Sequence, residues 1–266
     1  MLSLHDKLAI AELIIYGSTA LPAGLFLWVK EGWRRFEWMS VVTLASLRIV
    51  GSVLQLMSDE TGPPSKTIAI VNGIGLSPMI GIVLMLVHRM CAPPSLFSRE
   101  GLTSFCRCKK LQHFRLAKIT ILLHVVVFGA VPLIIIGILK LYGGDDKTLS
   151  RILIAIGLAI LFQVYIVQTL LALYASSRSE KPLSYLAFTI FAMAPLLLLR
   201  LIYATLAFFV TSSTTFSPVQ GSLVAQVLMS VVPENGIALL AVGWGLLMLR
   251  GEAHIAAYKL TSYTTS

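Results

Sequence analysis

Charge is what this sequence has least of. Asp, Glu, Lys and Arg make up 12% of the residues, about half the share usual in soluble domains. Too few charges remain to cover the surface of a soluble domain of this size. The 57% of hydrophobic residues excludes a disordered chain. Cysteine is scarce as well, with three in 266 residues. Cys106 and Cys108 form a Cys-x-Cys pair, which is neither a disulfide framework nor a zinc-ligand set. No HExxH, CxxC, P-loop or GxSxG pattern occurs, so the common marks of metallohydrolase, thiol-redox, nucleotide-binding and serine-hydrolase chemistry are missing. No metal site and no cofactor are expected. Alternation of period two is absent, which argues against an outer-membrane barrel.

What the chain has instead is long apolar runs, and its mean hydropathy is +0.86. A bilayer-crossing helix needs about 20 mostly apolar residues. Seven stretches qualify: 8–29, 39–57, 67–88, 119–139, 152–175, 185–210 and 223–249. The expected fold is all-α, a polytopic bundle of seven transmembrane helices forming a single domain over 1–266. The longest connection is 89–118, and the tail is 250–266. The seven residues before the first span lack the pattern of a cleaved secretory signal. The first span is expected to act as its own uncleaved signal.

Basic residues orient the bundle. Segments 30–38, 89–118, 176–184 and 250–266 carry 14 Lys and Arg, against 5 in segments 1–7, 58–66, 140–151 and 211–222. The richer side faces the cytosol, which places the N-terminus in the lumen and the C-terminus in the cytosol. The cytosolic segments hold the whole net charge of +9, so orientation accounts for it and no nucleic-acid partner is expected. Trp28, Trp33 and Trp38 bracket the first cytosolic turn, as an interfacial aromatic belt would. Arg107, Lys109, Lys110, Arg115 and Lys118 read as a topology signal, with anionic lipid head groups as the alternative. Cys106 and Cys108 are a plain cytosolic thiol pair or a palmitoylation site.

Ionisable residues inside spans are the informative ones, because each costs at least about 2.5–3.5 kcal/mol to insert at a helix centre. There are five: Glu12, Arg48, His124, Arg200 and Glu234. The helix rise puts Arg48, Arg200 and Glu234 about 14–16 Å from the lumenal ends of their spans, with Ser77 at the same level. Glu12, Gln55, Asn72 and Tyr203 lie shallower on that side, and His124 sits alone near the cytosolic end of the fourth span. Two acids and two arginines sum to zero. They form either salt bridges that fix packing or a polar cavity open to the lumen. Five of the 11 prolines lie within spans: Pro22, Pro78, Pro132, Pro195 and Pro233. Each frees a backbone carbonyl, which is tolerated where it is buried or lines a cavity. Pro78 and Pro233 adjoin Ser77 and Glu234. Gly73 and Gly75 allow close helix contact.

Strung in order, the Leu47–Leu56 run containing Arg48 and Gln55, Gly73–Pro78, Pro195–Tyr203, Ala11-Glu12-Leu13 and Glu234 resemble a fungal family of seven-helix membrane proteins of unknown function. The resemblance covers nearly all seven spans and implies a fungal origin but no activity. More loosely, the chain is similar to the small integral membrane terpene cyclases of fungal meroterpenoid pathways, compact helical bundles with embedded acids. That similarity implies an enzyme of secondary metabolism in the endoplasmic reticulum, cyclising a hydrophobic prenylated substrate that partitions into the bilayer.

The chemistry fits in outline. Cyclisation by protonation of an alkene or epoxide needs an acid in a water-excluding site. Glu234 is the expected catalytic acid, with Glu12 second. Arg48, Arg200, Tyr203, Ser77, Asn72 and Gln55 are expected to bind substrate. Tyr203, Tyr165 and Phe162 offer ring faces to a carbocation, although such residues also pack cores. A neighbouring Arg200 or Arg48 would hold Glu234 ionised and spoil it as an acid. The alternative is a transporter or receptor-like protein with a polar binding site near the midplane. No inverted repeat is visible, and the motifs of the large receptor families are missing.

Overall fold

The computed structural model describes residues 4–31, 36–57, 70–71, 73–91, 107–143, 147–177, 184–209 and 222–264. Among them the chain is helical almost throughout, with no strand. The first span is α1 (Leu4–Ile15), a π-helical turn (Tyr16–Ala20) and α2 (Leu21–Glu31) in continuous succession. The second is α3 (Phe36–Met57), the third α4 (Leu76–Cys91), the fourth α5 (Arg107–Gly143), the fifth α6 (Lys147–Ser176) and the sixth α7 (Ser184–Phe209). The seventh is α8 (Leu223–Gln226), a second π-helical turn (Val227–Val231) and α9 (Val232–Thr264). Six of these spans are long and apolar enough to cross a membrane, and the third is a shorter apolar helix.

The outward faces are apolar, the reverse of a soluble protein. Phe128 is 75% exposed and Phe188 73%. Hydrocarbon is the solvent that makes such a surface favourable. The chain is therefore a multi-pass membrane bundle.

The third span departs most from expectation. A helix over 67–88 was expected; residues 70, 71, 73 and 74 are helical, and after a turn at Gly75 the chain continues as α4, 16 residues long. By itself α4 is about 24 Å long at about 1.5 Å per residue, and the helical residues before Gly75 extend the span toward the ~30 Å of a hydrocarbon core. Gly73, Gly75 and Pro78 lie together at its start and weaken the helix there. The chain turns at Gly75, whose N–H still donates to Val71 O at 3.2 Å. Twelve of the 16 residues of α4 are buried, because it packs against α3, α5, α6, α7 and α9. It is the axis of the bundle. Two other spans run longer than expected. The fourth starts at Arg107, within the expected loop, and the seventh continues to Thr264 through the expected tail.

Each π-helical turn ends two residues before a proline, Pro22 or Pro233. A proline ring clashes with the carbonyl four residues back. Widening the turn by one residue relieves the clash. Accordingly, Leu21 N–H reaches Tyr16 O and Val232 N–H reaches Val227 O, each five residues back. Ser18 donates to Ile14 O at 2.6 Å, and Thr19 donates to Ile15 O. Pro132 and Pro195 are carried inside continuous helices.

Two contacts fix the rest of the bundle. The α5–α6 hairpin closes on glycines: a Cβ at Gly137 would stand 2.6 Å from Ile154 Cγ1 and 3.0 Å from Ser150 O. On the C-terminal side, Trp38 stacks on Trp244 with centroids 6.5 Å apart, and the Arg89 guanidinium lies 4.6 Å from the Trp244 ring. Trp38 is 1% exposed, so it is a core residue rather than part of an interfacial belt. Trp33, Cys106 and the basic side chains from Arg107 to Arg115 lie outside what can be described.

Candidate functional site

Four spans each contribute a pair of polar residues one helical turn apart. Span one offers Glu12 and Tyr16, span two Arg48 and Ser52, span six Arg200 and Tyr203, and span seven Ser230 and Glu234. Spacings of three and four put both members on one helix face, and all four faces point inward. Glu234 is fully buried, with Arg200 3%, Arg48 6% and Glu12 8% exposed.

Glu234 is the hub. Its Oε1 accepts from Arg200 Nε at 2.6 Å and from the Ser230 hydroxyl at 3.1 Å. Arg48 grips the same carboxylate with two nitrogens, Nη2 on Oε1 and Nε against Oε2. One carboxylate thus holds two guanidinium groups, a strong, charge-assisted arrangement. The Arg200 guanidinium also lies over the Tyr203 ring, 5.5 Å from its centroid. The second acid is bound differently: the Ser52 hydroxyl donates to Glu12 Oε2 at 3.3 Å. Glu12 is within electrostatic reach of Arg48, Glu234 and Arg200. Tyr16 is 1% exposed, and its hydroxyl has no partner among the described residues.

A cavity of about 30 Å³ adjoins this cluster, lined by Gly73, Leu76, Arg200, Tyr203, Gln226 and Ser230 among others. That volume takes about two water molecules. Gln226 lies in the first turn of the seventh span and Gly73 precedes α4, so the cavity lies on the N-terminal side of the bundle.

Of the residues expected from sequence, Arg48, Arg200, Glu234, Tyr203 and Glu12 come together. Ser77 does not: its hydroxyl turns back to Ile74 O at 2.9 Å, and it borders a separate, mostly apolar cleft with Val131 and Leu161. Gln55 is half-buried and does not line the cavity. Asn72 lies outside the described residues. Phe162 and Tyr165 pack partly buried against the core, away from the cavity lining. Ser52, Ser230 and Tyr16 belong to the cluster but were not expected. Their one-turn spacing from Arg48, Glu234 and Glu12 was the signal that could have found them.

His124 is not alone. Its Nδ1 lies 2.7 Å from Thr120 O, and His88 Nδ1 lies 2.5 Å from the Thr120 hydroxyl. Because a carbonyl only accepts, His124 carries its proton on Nδ1. Its Nε2 has no partner among the described residues. No group of three or more His, Cys, Asp or Glu gathers among those residues in a way that could hold a metal ion.

Fold and site together define a polytopic helical membrane protein built around a buried ionic cluster. The chain belongs to the family described as a domain of unknown function (DUF7702), whose model matches residues 2–251. No curated protein matches. No solved structure matches.

Proposed function

We propose that this protein is a seven-helix membrane binding protein, of transporter type, that takes the anionic head of a small amphiphile at the Arg200 end of the cluster. The observation that carries this reading is that Arg200, tied to Glu234, lines a cavity. A buried ion pair kept for packing alone often stabilises less than apolar side chains would. Here a single carboxylate holds two buried arginines, and one of them, Arg200, borders a cavity beside an aromatic face and two polar side chains. An arginine lining a cavity on an aromatic plate suits a carboxylate or similar head. The charge asymmetry of the loops supports entry from the lumenal side, and the resemblance to fungal families supports a membrane of the secretory system.

The test is binding to the protein in neutral-lipid nanodiscs. Hexanoate should bind saturably, and its methyl ester should not. Arg200→Gln should lose binding, with Arg200→Lys retaining part of it. Equal binding of acid and ester would overturn the reading.

Terpene cyclisation is the second reading, and the environment of Glu12 favours it. Glu234 is tied up in hydrogen bonds from two arginines and a serine. Glu12 accepts from a hydroxyl alone among the described residues, and a protonated carboxyl there could start a carbocation. A prenylated substrate, like the tail of an amphiphile, is larger than the cavity, so this reading too requires the bundle to open. A host fed linear prenylated substrates would make a cyclised product that is lost in Glu12→Gln and kept in Lys147→Ala.

A further inference from the structure

We infer that Glu12 is a proton acceptor coupled to ligand charge, so that the site takes up one monoanion together with one proton. This deepens the binding reading above and rests on it. The argument is charge balance in a closed space. Arg48 and Arg200 carry two positive charges, and Glu234 with an ionised Glu12 carries two negative ones, so the empty site is neutral. A monoanion arriving at Arg200 leaves the cluster with one negative charge in excess, in surroundings where an uncompensated charge is costly. One proton restores neutrality.

The geometry decides where that proton goes. Glu234 accepts from Arg48, Arg200 and Ser230, so protonating it would break two ion pairs. Glu12 accepts from Ser52 at 3.3 Å, and a hydroxyl can turn from donor to acceptor when the carboxyl gains a proton. The Tyr16 phenol, one turn along the same helix, is buried with no partner among the described residues. It offers a second donor–acceptor group to the arriving proton. The ionisable groups facing Glu12 are therefore Tyr16 on its own span, Arg48 on the second, Arg200 on the sixth and Glu234 on the seventh. The cavity of about 30 Å³ has room for about two waters, enough for the two oxygens of a carboxylate head, and an apolar tail requires the bundle to open. The occupant is thus a monocarboxylate with an apolar tail, bound electroneutrally.

The probe is heptafluorobutyrate, a carboxylate that stays ionised across the working range, so its own titration does not intervene. Binding is followed by fluorine NMR on the full chain in phosphatidylcholine nanodiscs. Proton uptake is read with an indicator dye in weak buffer. Wild type should take up one proton per anion bound, and affinity should fall about tenfold per pH unit once Glu12 is ionised in the empty site. Glu12→Gln should bind with an affinity independent of pH and take up no proton. Ser52→Ala, which keeps the carboxyl, should retain proton uptake. Anion binding without proton uptake in wild type would overturn the coupling and leave the binding reading standing. Failure of wild type to bind the anion at any pH, while gel filtration shows it folded, would overturn both.

Discussion

Glu234 carries more of the ionic cluster than any other residue, and removing its charge should show this. Glu234→Gln leaves Arg48 and Arg200 buried without their common partner. The expected loss is about 3–5 kcal/mol, by analogy with other broken buried pairs. Glu12→Gln removes a carboxylate held by one hydroxyl and should cost far less. Unfolding in mixed micelles, followed by circular dichroism, would rank the two, and equal losses would contradict the hub. The charged members of this cluster were legible in the sequence because charge inside a twenty-residue apolar run is conspicuous, and depth along each helix placed three of them at one level. Ser52, Ser230 and Tyr16 were legible only through their one-turn spacing from Arg48, Glu234 and Glu12. Serine and tyrosine are ordinary in membrane helices, and only the direction in which a helix faces gives them a role. Ser77 shows the same limit from the other side. Its depth matched the cluster, but its hydroxyl donates to the Ile74 carbonyl just before its own helix.

Two elements carry predictions of their own. At the α5–α6 contact, an added Cβ at Gly137 would meet the side chain of Ile154 and the carbonyl of Ser150, and one at Gly157 would press on Ile134. Gly137→Ala should therefore cost about 1–3 kcal/mol from overpacking. Gly129→Ala, on the same helix with nothing within 4 Å, should be neutral or slightly stabilising, since alanine favours helix. Thermal unfolding of both variants checks the pair. The second prediction concerns the π-helical turn of the seventh span, which holds one residue more than an α-helical turn would. Deleting Leu228 should let it relax while Glu234 keeps its position relative to Trp244. Deleting Val242 from the regular part should rotate the helix by about 100° and part Trp244 from Trp38 and Arg89. The yield of monodisperse protein should fall modestly in the first case, where Pro233 loses its widened turn, and collapse in the second. Helix existence was readable from hydropathy for every span. The two π-helical turns were not, although Pro22 and Pro233 marked the places, because a proline announces strain without saying how it is relieved. Pro132 and Pro195 end in a different outcome under the same rule.

For the molecule as a whole, the excess of basic residues in alternate loops makes a definite orientation the expectation. A glycosylation tag placed in 211–221 should be modified, and one in 92–106 should not. The opposite pattern would invert the bundle and put the Arg200 cavity on the cytosolic side. The number of helices was legible from composition, but the rank of the third was not. A hydropathy profile treats all apolar runs alike and cannot tell a helix bathed in lipid from one enclosed by its neighbours. The enclosure of α4 bears on how the protein is made. Helices enter the bilayer roughly in the order of synthesis, and α4 emerges before α5, α6, α7 and α9 exist to surround it. In a nascent chain ending at Cys91, α4 has been made before most of the helices that enclose it, with α3 as its main neighbour among the described residues. A reporter fused there should appear on both sides of the membrane, whereas one fused after Ser176 should appear on one side alone. The last helices to be made are thus the ones that commit an earlier one to its place.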